Sequence, residues 1–164
     1  SALYGQQVPY TGADTVFKIC PHTTKWYEFN PNDEFGFAMI KDFILMRLGE
    51  TYLLKAEAQL NQGNTSGAAT TINVLRTRAN ASQVTGSQIT LDFILDERAR
   101  ELLAEENRRM TLMRTGKLVT RTTAYNTQTI NPVLGISSKN LLLPIPLSEI
   151  NLNKDAVLEQ NPGY

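Results

Sequence analysis

The chain has 164 residues, 41% of them hydrophobic and 20% charged, with 16 Lys and Arg balanced by 16 Asp and Glu. That is enough for one domain with a core, and its formal neutrality offers no bulk attraction to nucleic acid or an anionic membrane. The longest apolar runs are far too short to span a bilayer, and the single cysteine, Cys20, excludes an internal disulfide.

Residues 1–40 read as irregular, with Pro9, Pro21 and Pro31 and a scatter of aromatics that includes Tyr10, Trp26 and Tyr27. Short strands are expected around 15–20 and 24–29, packed on something else. The opening SALYGQQVPYTG carries no initiator Met and no signal, and no long apolar stretch precedes Cys20 as it would a lipidated cysteine. Such a start suggests a fragment or a processed product.

From Ile40 the pattern turns helical. KDFILMRLGETYLLKAEAQLNQG sets Phe43, Met46, Leu53, Leu54 and Leu60 near one side, with Gly63 to end the helix. Asn64, Thr65 and Ser66 offer caps for a second helix over 66–80, whose stripe is Ala68, Ile72, Leu75 and Ala79. The short link predicts a hairpin. A polar loop spans 81–89. Thr90 then caps a helix opening at Leu91, with a break near Glu106 and Asn107 and a short helix from there to Arg114. Residues 41–118 thus read as two tetratricopeptide-like hairpins, each a long helix followed by a shorter one, with a poor consensus; two such units rarely stand alone. Residues 119–164 read as an irregular extended tail lying along the helices. VTRTTAYNTQTINPVLG is a loop with at most a weak strand. Pro144 and Pro146 then hold the chain extended, and Ser148 caps a single turn. The fold class is mainly α, one domain in all.

Charges interrupt both long apolar faces. At about 100° per residue, Arg98 and Glu105 fall inside the arc of Leu91, Ile94, Leu95 and Leu102, with Glu101 at its edge. Arg47, Glu50 and Glu57 fall on the arc of Phe43, Met46 and Leu54. Arg47 and Glu50 are three apart, as are Arg98 and Glu101, while Glu105 and Arg109 are four apart, spacings that let side chains meet on one helix face. Paired acids can hydrolyse glycosides, but one must stay protonated, and a guanidinium beside each lowers its pKa instead. The seven residues Arg47, Glu50, Glu57, Arg98, Glu101, Glu105 and Arg109 are therefore assigned to a buried structural ion network. Cys20 and His22, separated only by Pro21, make a poor nucleophile pair and are too few for a usual zinc site. No catalytic residue, metal or cofactor is expected.

Four segments, in order, carry a family resemblance. ERARELLAEENRRMTLMRTGKL resembles the helix pair near the C-terminus of SusD/RagB-like proteins. MRLGETYLLKAEAQLNQG is similar to that family's helix with an arginine, a glutamate and a closing A-E-A. AATTINVLRTRAN resembles its next helix, ending R-x-R-A. LLLPIPLSEINLNKDAVLEQNPGY resembles its terminus, down to the closing Q-N-P-G-Y. The resemblance spans about 41–164. One departure is that Asn107, Met110, Thr111 and Leu112 stand where many members carry an H-R-W-F-D-like run.

The resemblance implies a surface lipoprotein of the outer membrane of Gram-negative glycan foragers. It implies a helical protein that binds oligosaccharides or peptides without cleaving them and sits on a TonB-dependent transporter barrel. It also implies that this chain is the C-terminal part of a longer protein, with the lipid-bearing end absent. A sugar's apolar face stacks on an aromatic ring while amides and acids read its hydroxyls. Trp26, Tyr27, Asn30 and Tyr10 are the first candidates for that role, then Tyr125 and Asn126. The competing assignment for Trp26 is packing of the loop onto the helices, since a lone Trp is usually highly buried. The alternative function is a peptide-binding module that uses the stripe of 68–79 as its docking surface.

Overall fold

A computed structural model of the chain describes residues 25, 26, 28, 30–34, 40–125 and 135–164, and it divides into two compact units, Ser1–Glu106 and Asn107–Tyr164. Among the described residues it is helical, with no strand, in keeping with the mainly α class expected. The expected strands at 15–20 and 24–29 lie almost entirely outside the described residues; Lys25 and Trp26 form a turn.

In the first unit, α1 (Leu48–Asn61) and α2 (Thr65–Arg78) form a hairpin. Gly63 takes φ +76°, a left-handed turn that costs a glycine little, and Asn64 then caps α2 by accepting from Gly67 N at 2.8 Å. Ala56 faces Ala68 and Ala69 in the core, where small side chains let the helices approach closely. Ile72, Val84, Ile89 and Ile94 complete this cluster. The third helix, α3 (Leu91–Glu101), is capped by Thr90, whose hydroxyl accepts from Phe93 N at 3.1 Å. It packs on α1, with Leu53, Leu75 and Leu102 forming a second cluster. Leu53, Ile72, Ile94 and Leu95 are wholly buried. At about 1.5–3 kcal/mol each they are the main apolar anchors. Between α2 and α3, Asn73 acts as a substitute strand: its carboxamide donates to Val84 O and accepts from Val84 N, both at 2.9 Å.

Three expectations for this unit need correction. The helix expected from Lys41 begins at Leu48, so α1 and α2 are each 14 residues long and the first is not the longer. Arg47 is extended (φ −139°, ψ 166°), which turns its side chain back across the first turn of α1. Its ion pairs, described below, outweigh a periodicity that would let the helix start earlier. Phe43 and Met46 are consequently exposed, and Leu54 partly so; the buried face of α1 is Leu53, Ala56 and Glu57. Ala79 is an exposed C-cap, because Asn80 takes φ +52° and ends α2 there. The rest of the 68–79 stripe, Ala68, Ile72 and Leu75, is buried and so closed to a docking peptide.

The second unit holds α4 (Arg108–Arg114), α5 (Leu118–Tyr125), a 3-10 turn (Ser138–Leu141) and α6 (Leu147–Leu152). Asn107 caps α4. Residues 119–125, expected as loop or weak strand, continue a helix that opens at Leu118. Their β-branched composition is a weak preference that burial overrides: Leu118 and Arg121, three apart, bury one face. Ser148 lies inside α6, which follows Pro146 directly.

The terminal Q-N-P-G-Y fastens the extended proline segment. Gln160 repeats the device of Asn73: its oxygen accepts from Ile145 N at 2.7 Å and its nitrogen donates to Ile145 O at 2.9 Å. Asn161 donates to Leu143 O at 2.7 Å, Tyr164 donates its hydroxyl to Leu142 O at 3.1 Å, and Lys139 Nζ sits 4.2 Å over the Tyr164 ring. Gln160→Ala removes both bonds to Ile145 and is expected to weaken the tail by about 1–2 kcal/mol. Hydrogen exchange at the Ile145 amide should accelerate accordingly, and unchanged protection would count against the clamp.

Candidate functional site

Helix α3 ends at Glu101, earlier than the break expected near Glu106. Ala104 then takes φ +63°, a conformation that costs a non-glycine residue about 1 kcal/mol or more. Glu105 N and Glu106 N both bond back to Leu102 O, at 2.9 and 3.0 Å. This turn aims two successive carboxylates at the core. Glu106 accepts from Arg98 Nε at 2.5 Å, and Glu105 accepts from Arg47 Nε.

The helices α1 and α3 exchange partners. Arg47, at the start of α1, donates to Glu101 Oε1 at 2.5 Å, while Arg98 of α3 donates to Glu50 of α1 at 2.9 Å. The spacing of three on each helix therefore serves a reciprocal cross-brace between helices, not the pairing within one helix that the sequence suggested. Gly49 permits it: a Cβ there would lie 2.8 Å from Glu101 Oε1 and against the Arg47 guanidinium. Glu57 is buried on the same helix. Arg109 does not share a helix face with Glu105, because residues 102–107 are not helical; it lies in the second unit and donates to Asn140 O at 2.6 Å.

Further members escaped the sequence reading. Glu101 also accepts from Arg78 at 2.5 Å, Glu97 joins Arg76 and Arg100, and Lys25 Nζ lies 2.7 Å from Glu105 Oε1. Arg76 and Arg78 are the two arginines of the R-x-R pattern, so a signal was present without an assigned role. Burial alone would push the Glu105 carboxyl up. Hydrogen bonds from Arg47 and Lys25, with their charges, outweigh it and hold the carboxyl below the usual range. Burial likewise acts to lower the Arg47 pKa, but Glu105 and Glu101 hold it above its ordinary value.

The aromatic candidates are spread out. Trp26 is half-buried and stacks on Phe43, with ring centroids 5.5 Å apart and planes 17° apart. Asn30 is half-buried in the next turn, its carboxamide oxygen accepting from Asn32 N at 3.0 Å. Tyr125 is an exposed ring of the second unit, with the Arg121 guanidinium 4.8 Å over it. Tyr10, Tyr27 and Asn126 lie outside the described residues. Beside the charged cluster is a cleft of about 200 Å³, counting its open mouth, lined by Ile44–Arg47, Glu50, Leu102, Glu105 and Glu106. Among the described residues, no group of three or more His, Cys, Asp or Glu is placed to hold a metal.

Fold and site together define a helical-hairpin protein whose buried charges are consumed in bracing helices and whose aromatic pair stands on a loop. Residues 20–164 match the SusD family. The chain is 37% identical over 125 residues to the starch-binding protein SusD of Bacteroides thetaiotaomicron, covering 75% of this chain and 22% of that protein. It is 31% identical over 164 positions to SusD-like protein P25 of Formosa agariphila, covering 94% of this chain and 30% of that protein. The chain belongs to the SusD family. It spans less than a third of the length of these relatives. No solved structure gives a significant match.

Proposed function

We propose that this protein binds an oligosaccharide nutrient at the outer cell surface without cleaving it and passes it to a TonB-dependent transporter barrel, the full-length protein being held at the outer membrane by a lipid anchor. The observation that carries this reading is the family match, with a starch-binding protein among the relatives. The charged cluster supports the non-catalytic part. Glycoside hydrolysis needs a carboxyl that stays protonated near neutral pH, and Glu105 is held the other way by Arg47 and Lys25. Among the described residues no helix is long and apolar enough to cross a membrane. Trp26, with Asn30 in the following turn, is the first candidate for the sugar contact.

The test is calorimetric titration against a panel of oligosaccharides that includes maltoheptaose, the α-glucan suggested by the starch-binding relative. Saturable heat with one member of the panel, lost in Trp26→Ala, is the expected result. Silence across the panel would overturn the glycan reading in favour of a peptide ligand.

A further inference from the structure

We propose that Phe43, backed by Trp26, is the surface on which a sugar ring stacks, and that Glu105 positions it by fastening both ends of the loop that carries the pair. This rests on the glycan-binding reading above and locates its site.

Three nested contacts close the loop. Innermost, Ile40 N donates to Glu28 O at 3.1 Å. Next, Trp26 stacks on Phe43. At the base, Lys25 and Arg47 end on the two oxygens of one carboxylate, Glu105. They also share one carbonyl, Glu101 O, each donating to it at 2.6 Å. Contacts nested in this order describe a chain folded back on itself and clipped at its base. The side chain of Glu105 is 8% accessible, against 34% for Lys25 and 23% for Arg47, so the anchor sits deeper than either end it holds. Opposed charges fasten the clip at Lys25 and Arg47, neither of which lies in a helix or strand.

Phe43 is 71% exposed, although burying such a ring would stabilise the chain. Its exposure is not one of disorderly placement: one face is covered by Trp26 and the stack fixes its direction. A ring presented in this way suits the C–H face of a pyranose, which stacks on aromatic carbon as aromatic rings stack on each other. The neighbouring cleft argues for the same mode. Even with its mouth included it is about 200 Å³, below the roughly 300–1,000 Å³ of sites that enclose a small molecule. A ligand here lies on the surface, against a platform. The cleft begins at Ile44, the residue after Phe43, and its wall carries Glu50, whose side chain is 23% accessible and whose carboxylate keeps lone pairs to accept from hydroxyls.

Trp26 is the only tryptophan, so its fluorescence reports on the platform directly. The protein, Phe43→Ala, Phe43→Trp and Glu105→Gln would be titrated with the same oligosaccharide panel while emission and iodide quenching are followed. The glycan that binds should shift Trp26 emission. Phe43→Ala should weaken it about tenfold at unchanged far-ultraviolet circular dichroism, and Phe43→Trp should restore it. Glu105→Gln should raise iodide quenching of the free protein and weaken the glycan, and Lys25→Ala gives the same readout should Glu105→Gln fail to fold. A glycan bound by Phe43→Ala with parental affinity overturns the platform and leaves the glycan reading standing. No binding by the parent to any glycan removes that reading and the platform with it. Trp26 quenching unchanged in both Glu105→Gln and Lys25→Ala overturns the positioning role whatever binds.

Discussion

Arg98→Met is expected to lower the unfolding free energy of the first unit by about 3–5 kcal/mol, the cost of leaving buried charges without their partner. Arg98 is 1% exposed, the largest of the fully buried side chains among the described residues, and its guanidinium joins Glu50 of α1 to Glu106 of the turn after α3. Methionine fills much of the space of the arginine stem, so little of the loss comes from a cavity. What remains is Glu106, with 5% of its side chain accessible, deprived of the Arg98 guanidinium. The same physics gives the control. Replacing Arg98, Glu50 and Glu106 together by apolar residues of similar volume should recover most of the loss, because the intact network need not add net stability. Urea denaturation of the single and triple variants decides it. A single variant within about 1 kcal/mol of the parent would mean that Arg98 is not the charge that α1 and α3 are built around.

Helix patterning and the odd charges were legible in the sequence; their partners were not. Arg98 and Glu101 announce themselves as ions on the arc of α3, because periodicity places a residue on a face, whereas Arg47 and Glu105 were reached by running the helical period past the observed helix ends. Periodicity does not say which helix faces that residue, and so the spacing of three pointed to pairs within helices where the structure crosses them over. Glu106 lies beyond the end of α3 and reaches Arg98 only through the positive φ of Ala104, a conformation no alanine advertises. The start of α1 was hidden for a related reason. IKDFILMR continues the apolar pattern, and only the tertiary hold on Arg47 stops the helix at Leu48. Phe43 was therefore counted with the core, and its stack with Trp26, a contact distant in sequence, had no local signal.

Glu105→Ala should cost less than the loss of Arg98, about 2 kcal/mol, because its partners are better placed to rehydrate. Arg47 and Lys25 keep 23% and 34% of their side chains accessible, and Arg47 retains Glu101 when Glu105 is gone. The dependence on pH gives this loss a signature. The Glu105 carboxyl is held below its ordinary value in the folded chain, so folding favours the ionised form. Its contribution is present in full above the ordinary glutamate value of about 4.3, and it drains away as pH falls through the lower folded-state value. The parent and Glu105→Ala should therefore differ by a constant amount from pH 5 to neutrality and converge in acid, the parent falling toward the variant. Chemical denaturation at stepped pH measures that gap. A gap that does not narrow at all as pH falls below the ordinary glutamate range would assign the cost of the substitution to lost packing, and the clip on Lys25 and Arg47 would then owe nothing to the charge of Glu105.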